Sequence, residues 1–149
     1  MADVKKVKAL REETGVSIAL CSKALDESKG DMEKARKLLK EWGVELASKK
    51  LSREAHEGIV ISYMHHNKRM GSMLILNCET DFVARNEEFQ KLGYEIAMQV
   101  ASMQPKTTDE LLAQSYIRDS SKTIDQLIKE LISKLGENIK VGEFVRLAL

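Results

Sequence analysis

Residues 86–105, NEEFQKLGYEIAMQVASMQP, contain the most regular apolar pattern in the chain and decide its fold. The apolar and small residues recur at spacings of three and four, which places them on one side of an α-helix. Asn86 is suited to cap this helix, and Pro105, the only proline, cannot continue it. We expect the helix to pack on a sheet, because one of its sides must be covered. That side consists of Phe89, Leu92, Gly93, Ile96, Ala97, Val100 and Ala101.

Two apolar runs before this helix and one after it predict the strands of the sheet. Residues 58–64 and 73–76 are rich in β-forming side chains, and the polar residues 66–68 between them are suited to a turn. From 139 to 149 apolar residues alternate with polar ones, as in a strand with one covered face. We expect the resulting hairpin and the last strand to form a three-stranded antiparallel sheet.

The segment 1–44 is expected to fold as a module of three short helices, because potential caps and helix ends alternate along it. The charged stretch 45–56 has no apolar stripe wide enough to require burial, which favours a solvated helical linker. Residues 57–149 then form the core. The expected caps are Asp3, Ser17 and Asp31, and the expected helix ends are Gly15, Gly30 and Gly43.

Two more helices are predicted between the long helix and the last strand. Thr107 and Glu110 have the spacing of a capping box and open a short helix. Thr123 and Gln126 have the same spacing and open an amphipathic helix that ends at Gly136. The expected fold class is therefore α+β, with a three-helix module followed by a core in which a three-stranded antiparallel sheet packs with helices.

The composition argues against several classes of protein. The 24 basic and 23 acidic residues leave a formal charge of +1, so no overall field attracts nucleic acid or an anionic membrane. No apolar run reaches the ~20 residues of a membrane helix, and the N-terminus shows no signal pattern. Cys21 and Cys78 form no Cys-x-x-Cys pair, so neither a disulfide framework nor a zinc site is indicated. We expect a cytoplasmic protein with neither a nucleic-acid nor a membrane partner.

No arrangement of catalytic residues is visible. The sequence has no glycine-rich phosphate loop and no metal-ligand spacing, so we expect no enzyme, cofactor or metal. His65 and His66 would point to opposite faces of a strand and could not readily chelate, which favours a solvated turn. Cys21 and Cys78 lie in apolar patterns, which favours buried, inert thiols. A small enzyme that uses Cys78 and a histidine is an alternative hypothesis.

The segment 77–86, NCETDFVARN, lies between a predicted strand and the long helix and places Phe82 at a turn. The residues alone favour a core position for Phe82, with Asp81 stabilising the start of the helix. The alternative is an exposed aromatic beside a carboxylate, which would be suited to binding another protein.

Three stretches of this chain resemble the elongation factor Ts family. Thr80–Val83 (TDFV), preceded by Asn77 and Cys78, is similar to the family signature. Matches within 10–39 resemble the ubiquitin-associated-like module at the N-terminus of the family. The stretch 136–139 (GENI) resembles the motif before the last strand.

The resemblance implies a guanine-nucleotide exchange factor that is not an enzyme. Its partner would be the GTPase domain of elongation factor Tu, from which it would release GDP by disturbing the magnesium and phosphate site. Asp81 and Phe82 would press into that domain, and the ring would wedge between its helices. Thr80 and Val83 complete the signature.

The resemblance also implies a wider contact surface. Leu135 and Gly136 would lie beside the signature, although a helix end explains Gly136 and an apolar stripe explains Leu135 equally well. Ile18, between the first two helices, would contact the same GTPase domain or belong to the core of the module. His65 and His66 would supply a secondary contact.

The chain departs from many members of the family in its length. Only seventeen residues separate Pro105 from Thr123, so the helical insertion of longer members is absent or reduced to a turn or two. Members with a single core are understood to pair, so a homodimer is expected, formed through an exposed sheet edge. The alternative function is an adaptor whose helical module binds ubiquitin or a nascent chain and has no exchange activity.

Overall fold

The computed structural model describes residues 1–149 and places three helices before the first strand. Asp3, Ser17 and Asp31 cap these helices as predicted, because each side chain accepts a hydrogen bond from a backbone N–H in the first turn. In chain order the elements are α1 (Val4–Thr14), α2 (Ile18–Glu27), α3 (Met32–Lys50), β1 (Glu57–Met64), β2 (Met70–Cys78), α4 (Asp81–Ala84), α5 (Glu87–Met103), α6 (Thr108–Ala113), β3 (Ser115–Tyr116), β4 (Asp119–Thr123), α7 (Ile124–Leu135) and β5 (Lys140–Ala148).

The helix α3 continues to Lys50, so the prediction that it ends at Gly43 is wrong. A β-carbon on Gly43 would lie 2.9 Å from Ser133 Oγ, so this glycine permits a close approach of α3 to α7. Ala47, within the predicted solvated linker, is fully buried in the core. Packing against the core therefore stabilises α3 past Gly43, although glycine has a weak helix propensity. The division of the chain at 44 and 56 stays a prediction.

The predicted three-stranded antiparallel sheet is confirmed, with β2 between β1 and β5. One face is covered by α5, whose Phe89 and Ile96 are fully buried. The long helix begins after its cap Asn86 and ends at Met103, as its sequence pattern predicts. On the opposite face, which we call the outer sheet face, apolar side chains of all three strands are exposed. They are Val60, Met64, Met73, Val145 and Leu147.

The segment between α5 and α7 contains a short hairpin, β3 with β4, that the sequence did not predict. The buried Gln99 of α5 holds it, since its Nε2 donates to the carbonyl of Ser115 at 3.0 Å and its Oε1 accepts from the N–H of Ile117 at 3.1 Å. Tyr116 is also buried and donates its hydroxyl proton to Glu95 at 2.6 Å. These hydrogen bonds stabilise the hairpin, although the residues of its turn are not ones that favour a turn.

The predicted capping box at the start of α7 is confirmed, because Thr123 and Gln126 each bind the other's backbone N–H. At α6 only half of the predicted box forms. Thr107 accepts from the N–H of Glu110 at 3.1 Å, but the Glu110 carboxylate accepts from the N–H of Lys106 instead of that of Thr107. Gly136 ends α7 with φ 79°, in the left-handed region that favours glycine.

Candidate protein-binding site

Phe82 is 78% exposed, so of its two interpretations the core position is excluded. It lies on α4, a single helical turn that Thr80 caps through a bond from the N–H of Val83 at 3.4 Å. Successive helical residues point in directions about 100° apart. Because Ala84 is buried and Val83 packs against the core, the same turn directs Phe82 to solvent. The loop thus presents a large apolar ring that packing within this chain does not cover.

Asp81, next to Phe82, forms an ion pair with Arg85 at 2.6 Å. The two side chains are 50% and 74% exposed, so solvent screening leaves this pair little effect on stability. The acidic group and the aromatic ring therefore lie together on the surface.

Glu137 connects the end of α7 to the loop that carries Phe82. Its carboxylate accepts hydrogen bonds from the N–H of Glu79 at 3.1 Å and the N–H of Thr80 at 2.9 Å. It also accepts the hydroxyl proton of Thr80 at 2.7 Å. In the sequence these residues lie far apart, and nothing in their spacing predicts the contact. The TDFV and GENI motifs therefore lie side by side in the fold.

A second set of bonds holds the same junction. The N–H of Asn138 donates to the Glu79 carboxylate at 2.9 Å. The fully buried Asn138 amide donates to the carbonyls of Leu51 at 3.3 Å and Arg53 at 2.7 Å. Asn138 thereby links the residues that follow α3 to the loop that carries Phe82. The sequence does not predict this role.

Leu135 and Gly136 immediately precede Glu137 and therefore lie close to Thr80. Leu135 is half-buried against the core, and Gly136 closes α7 by donating its N–H to the carbonyl of Ile132 at 2.8 Å. The carbonyl of Gly136 accepts from Lys50 Nζ at 2.9 Å. Leu135 thus belongs to the apolar stripe of α7, and Gly136 is its helix end. Both positions are compatible with a contact to a partner protein.

Ile18 lies in the helical module, apart from this loop. As the first residue of α2 it is 56% exposed, so it does not extend the buried stripe formed by Cys21, Ala24 and Leu25. Of its two interpretations, the core position is excluded and the surface position stands.

His65 and His66 do not point to opposite faces, because β1 already ends at Met64 and strand alternation does not extend to them. Their rings lie with centroids 4.2 Å apart. Nδ1 of His65 is 2.9 Å from the hydroxyl of Tyr63. The two rings form a small polar surface on the hairpin turn.

Both cysteines are fully buried, as predicted. Burial, reinforced by the nearby negative charge of Glu137, raises the pKa of Cys78 to about 11. Burial also raises the pKa of Cys21. Cys78 donates to the carbonyl of Thr80 at 3.1 Å, so its thiol supports the signature loop and is not available as a nucleophile.

An α+β domain with an exposed aromatic residue on a braced loop has the features of a protein-binding module. None of the helices is both long and apolar enough to span a membrane. The family model for elongation factor TS matches residues 79–149, which include the loop, α5, α7 and the last strand.

Curated relatives extend the match to nearly the whole chain. Elongation factor Ts of Thermosipho melanesiensis is 39% identical over 191 aligned positions, covering 98% of this chain and 97% of the relative. That of Thermotoga maritima is 40% identical over 183 positions, covering 94% and 92%. That of Clostridium perfringens is 46% identical over 149 positions, covering all of this chain and 48% of the relative.

This chain belongs to the elongation factor Ts family, whose members act in the elongation step of protein biosynthesis. The alignment with the Thermosipho protein has 191 positions, whereas this chain has 149 residues, so that relative contains residues without a counterpart here.

Proposed function

We propose that this chain is a guanine-nucleotide exchange factor that binds elongation factor Tu in its GDP-bound state and promotes GDP release. The observation that carries the proposal is the exposed ring of Phe82 on a turn whose Val83 and Ala84 pack against the core. Burying such a ring in a partner's pocket gives an interface a strong anchor. Asp81 beside it adds a charge that selects a polar or basic rim.

The mechanism follows from thermodynamic linkage. In a GTPase, magnesium and the amides of the phosphate loop compensate the charge of the GDP phosphates. A ring wedged between the helices that hold these groups favours the nucleotide-free arrangement. A protein that binds the nucleotide-free state more tightly must weaken GDP binding by the same factor. The activity is therefore differential binding and involves no chemical step.

The remaining contacts in this proposal surround Phe82. Thr80 and Val83 fix the turn, and Leu135 and Gly136 extend the surface from the end of α7. A second area comprises the exposed Ile18 of the helical module. The ring pair of His65 and His66 supplies a third, peripheral contact.

Stopped-flow release of a fluorescent GDP from elongation factor Tu tests this proposal. We expect wild-type protein to accelerate release and Phe82→Ala to lose about 2 to 4 kcal/mol of binding, because a hot-spot ring is removed. Val4→Ala is the matched control, since Val4 is also 78% exposed. It is the first residue of α1 and is not among the proposed contacts. This variant should behave like wild type.

Circular dichroism must show that Phe82→Ala is folded, which is expected because exposed side chains contribute little to stability. If wild-type protein does not accelerate release, the exchange function is rejected and the adaptor that binds a nascent chain or another protein becomes the leading hypothesis. If Phe82→Ala is as active as wild type, the wedge is rejected even though the exchange function stands.

We also propose that the chain acts in the cytoplasm as a homodimer. A sheet that has apolar side chains on both faces is expected to be covered on both of them. Only the face under α5 is covered within the chain, whereas Met73 at the centre of the outer sheet face is 49% exposed. A second copy presenting the same face would supply the missing layer through an isologous interface.

A further inference from the structure

The carboxylate of Glu137, which comes from a distant segment, makes three of the hydrogen bonds that hold the loop that carries Phe82. Glu137 accepts three hydrogen bonds from two consecutive residues, Glu79 and Thr80, at 3.1, 2.9 and 2.7 Å. All three donors lie between the end of β2 and the start of α4. Bonds to an ionised acceptor are stronger than neutral ones. Glu137 thus fixes both the backbone and the hydroxyl rotamer at the point where α4 begins.

This contact continues into the turn itself. Thr80 donates its hydroxyl proton to Glu137, so a lone pair of the same oxygen remains to accept from the N–H of Val83 at 3.4 Å. Without Glu137 the hydroxyl would be free to rotate and the cap of α4 would weaken. A helix of four residues has no stability of its own and depends on such contacts.

We infer that Glu137 is a positioning residue for partner binding, which it promotes by holding the turn in the conformation that presents Phe82. This inference rests on the proposed exchange function. A partner selects only the fraction of molecules in which the turn is formed, and the apparent dissociation constant rises as that fraction falls. Ordering a flexible loop during binding has the same cost. Because Glu137 holds the turn in this conformation before the partner binds, the ordering cost does not reduce the binding free energy.

The position of Glu137 distinguishes this role from general support of the fold. Its partners Glu79 and Thr80 are only half-buried, so water can replace the lost bonds when the carboxylate is removed. The buried side chains of the core, such as Phe89 and Ile132, lie on other elements and are not its hydrogen-bond partners. We therefore expect the loop, and not the domain, to respond to substitution.

The first test measures GDP release from elongation factor Tu as a function of the concentration of this protein. Glu137→Ala should raise the half-saturating concentration roughly 10- to 100-fold, as the loss of charge-assisted bonds predicts. The maximal rate at saturation should remain that of wild type. Glu137→Gln retains one acceptor oxygen at the same distance and should recover part of the loss. Glu12→Ala, which removes an exposed carboxylate of α1, should change neither quantity.

The second test is a double-mutant cycle. If Glu137 acts through Phe82, Glu137→Ala should have little further effect in the Phe82→Ala background. A general loss of folded protein would lower the effective concentration equally in both backgrounds. Additive effects, or a half-saturating concentration for Glu137→Ala within about twofold of wild type, would therefore overturn the inference.

The third test needs no partner and separates this inference from the proposed function. Amide hydrogen exchange of the isolated protein should become at least tenfold faster at Val83 and Ala84 in Glu137→Ala, with Ile96 and Val100 of α5 unchanged. Unchanged exchange in the loop would refute the positioning role whether or not the wild-type protein releases GDP. Faster exchange in the loop, with no GDP release by wild type, would reject only the exchange function.

Discussion

Gly93 of α5 faces Ile61 of β1 so closely that a β-carbon on Gly93 would lie 3.1 Å from Cγ2 of Ile61. The same β-carbon would lie 3.3 Å from Cδ1 of Ile59. Both distances are shorter than the optimal separation of carbon atoms. The distance between α5 and the sheet therefore leaves no room for a side chain at Gly93.

The first prediction is that Gly93→Ala destabilises the protein. Alanine gains up to about 1 kcal/mol of helix propensity, but overpacking against two branched side chains costs about 1 to 3 kcal/mol. We expect a net loss of about 1 kcal/mol in the free energy of unfolding, and a larger loss for Gly93→Val, measured by urea denaturation.

Gly43→Ala provides the matched control, because it is also a glycine inside a helix. Its new β-carbon would meet the Oγ of Ser133, a hydroxyl that can rotate away. We expect a neutral effect or a gain of up to about 1 kcal/mol. A similar gain for Gly93→Ala would show that α5 can move away from the sheet at no cost.

The second prediction concerns Asn138, whose buried amide donates to the carbonyls of Leu51 and Arg53. Asn138→Ala removes both hydrogen bonds and should lower the free energy of unfolding by about 1 to 2 kcal/mol in the same assay. Asn67→Ala is the control, since Asn67 only accepts the exposed N–H of Arg69. Equal effects of the two substitutions would contradict the role of Asn138 as the link between the two regions.

Much of the fold could be predicted because local signals and periodicity agree. The stripe on α5, the capping box of Thr123 with Gln126 and the alternation in β5 all place residues correctly. Each of these signals depends on neighbours within a few residues.

The errors arose where distant residues decide the outcome. Gly43 is expected from the sequence to end α3, but the burial of Ala47 against the core favours continuation of the helix. The hairpin β3 with β4 depends on Gln99, which lies on another element. A local pattern contains no information about either contact.

The candidate site was only partly visible in the sequence for the same reason. The residues alone favoured a buried Phe82, because an aromatic ring is usually covered. Only the packing of Ala84 on the core shows that the ring points outward. The bonds from Glu79 and Thr80 to Glu137 join segments that are far apart in the chain, so spacing could not reveal them.

The third prediction is a loss of stability at alkaline pH caused by Cys78. Its pKa is raised to about 11, chiefly by burial, whereas the pKa of an unfolded cysteine is about 8.5. Because the folded pKa is the higher one, the stabilisation is complete below pH ~8.5 and is lost as the pH rises to ~11. Cys78→Ala should flatten this part of the profile of unfolding free energy against pH.

Cys21→Ala tests the assignment to Cys78. The pKa of Cys21 is also raised by burial, so its substitution should remove only the contribution of Cys21 and leave that of Cys78. Tyr116, whose pKa burial and Glu95 raise to about 12, adds a further loss at the upper end of the range. A profile for Cys78→Ala that coincides with wild type between pH ~8.5 and ~10 would contradict the prediction.

The fourth prediction concerns the homodimer and the outer sheet face. Met73 lies on the central strand β2, paired with Ser62 on one side and Val145 on the other, so it occupies the middle of this face. A carboxylate there would be buried without a partner in a dimer but solvated in a monomer. Met73→Glu should therefore weaken association at least tenfold in sedimentation equilibrium while the circular dichroism spectrum stays that of wild type.

Val4→Glu adds the same charge at an exposed site on α1 and should leave association unchanged. The alternative contact is an exposed strand edge, at β1 or β5, which pairs through backbone groups and would tolerate Met73→Glu. Undiminished association of Met73→Glu would therefore favour pairing through an edge. A wild-type protein that sediments as a monomer at high concentration would reject both modes, and the exposed apolar face would then be available to another protein.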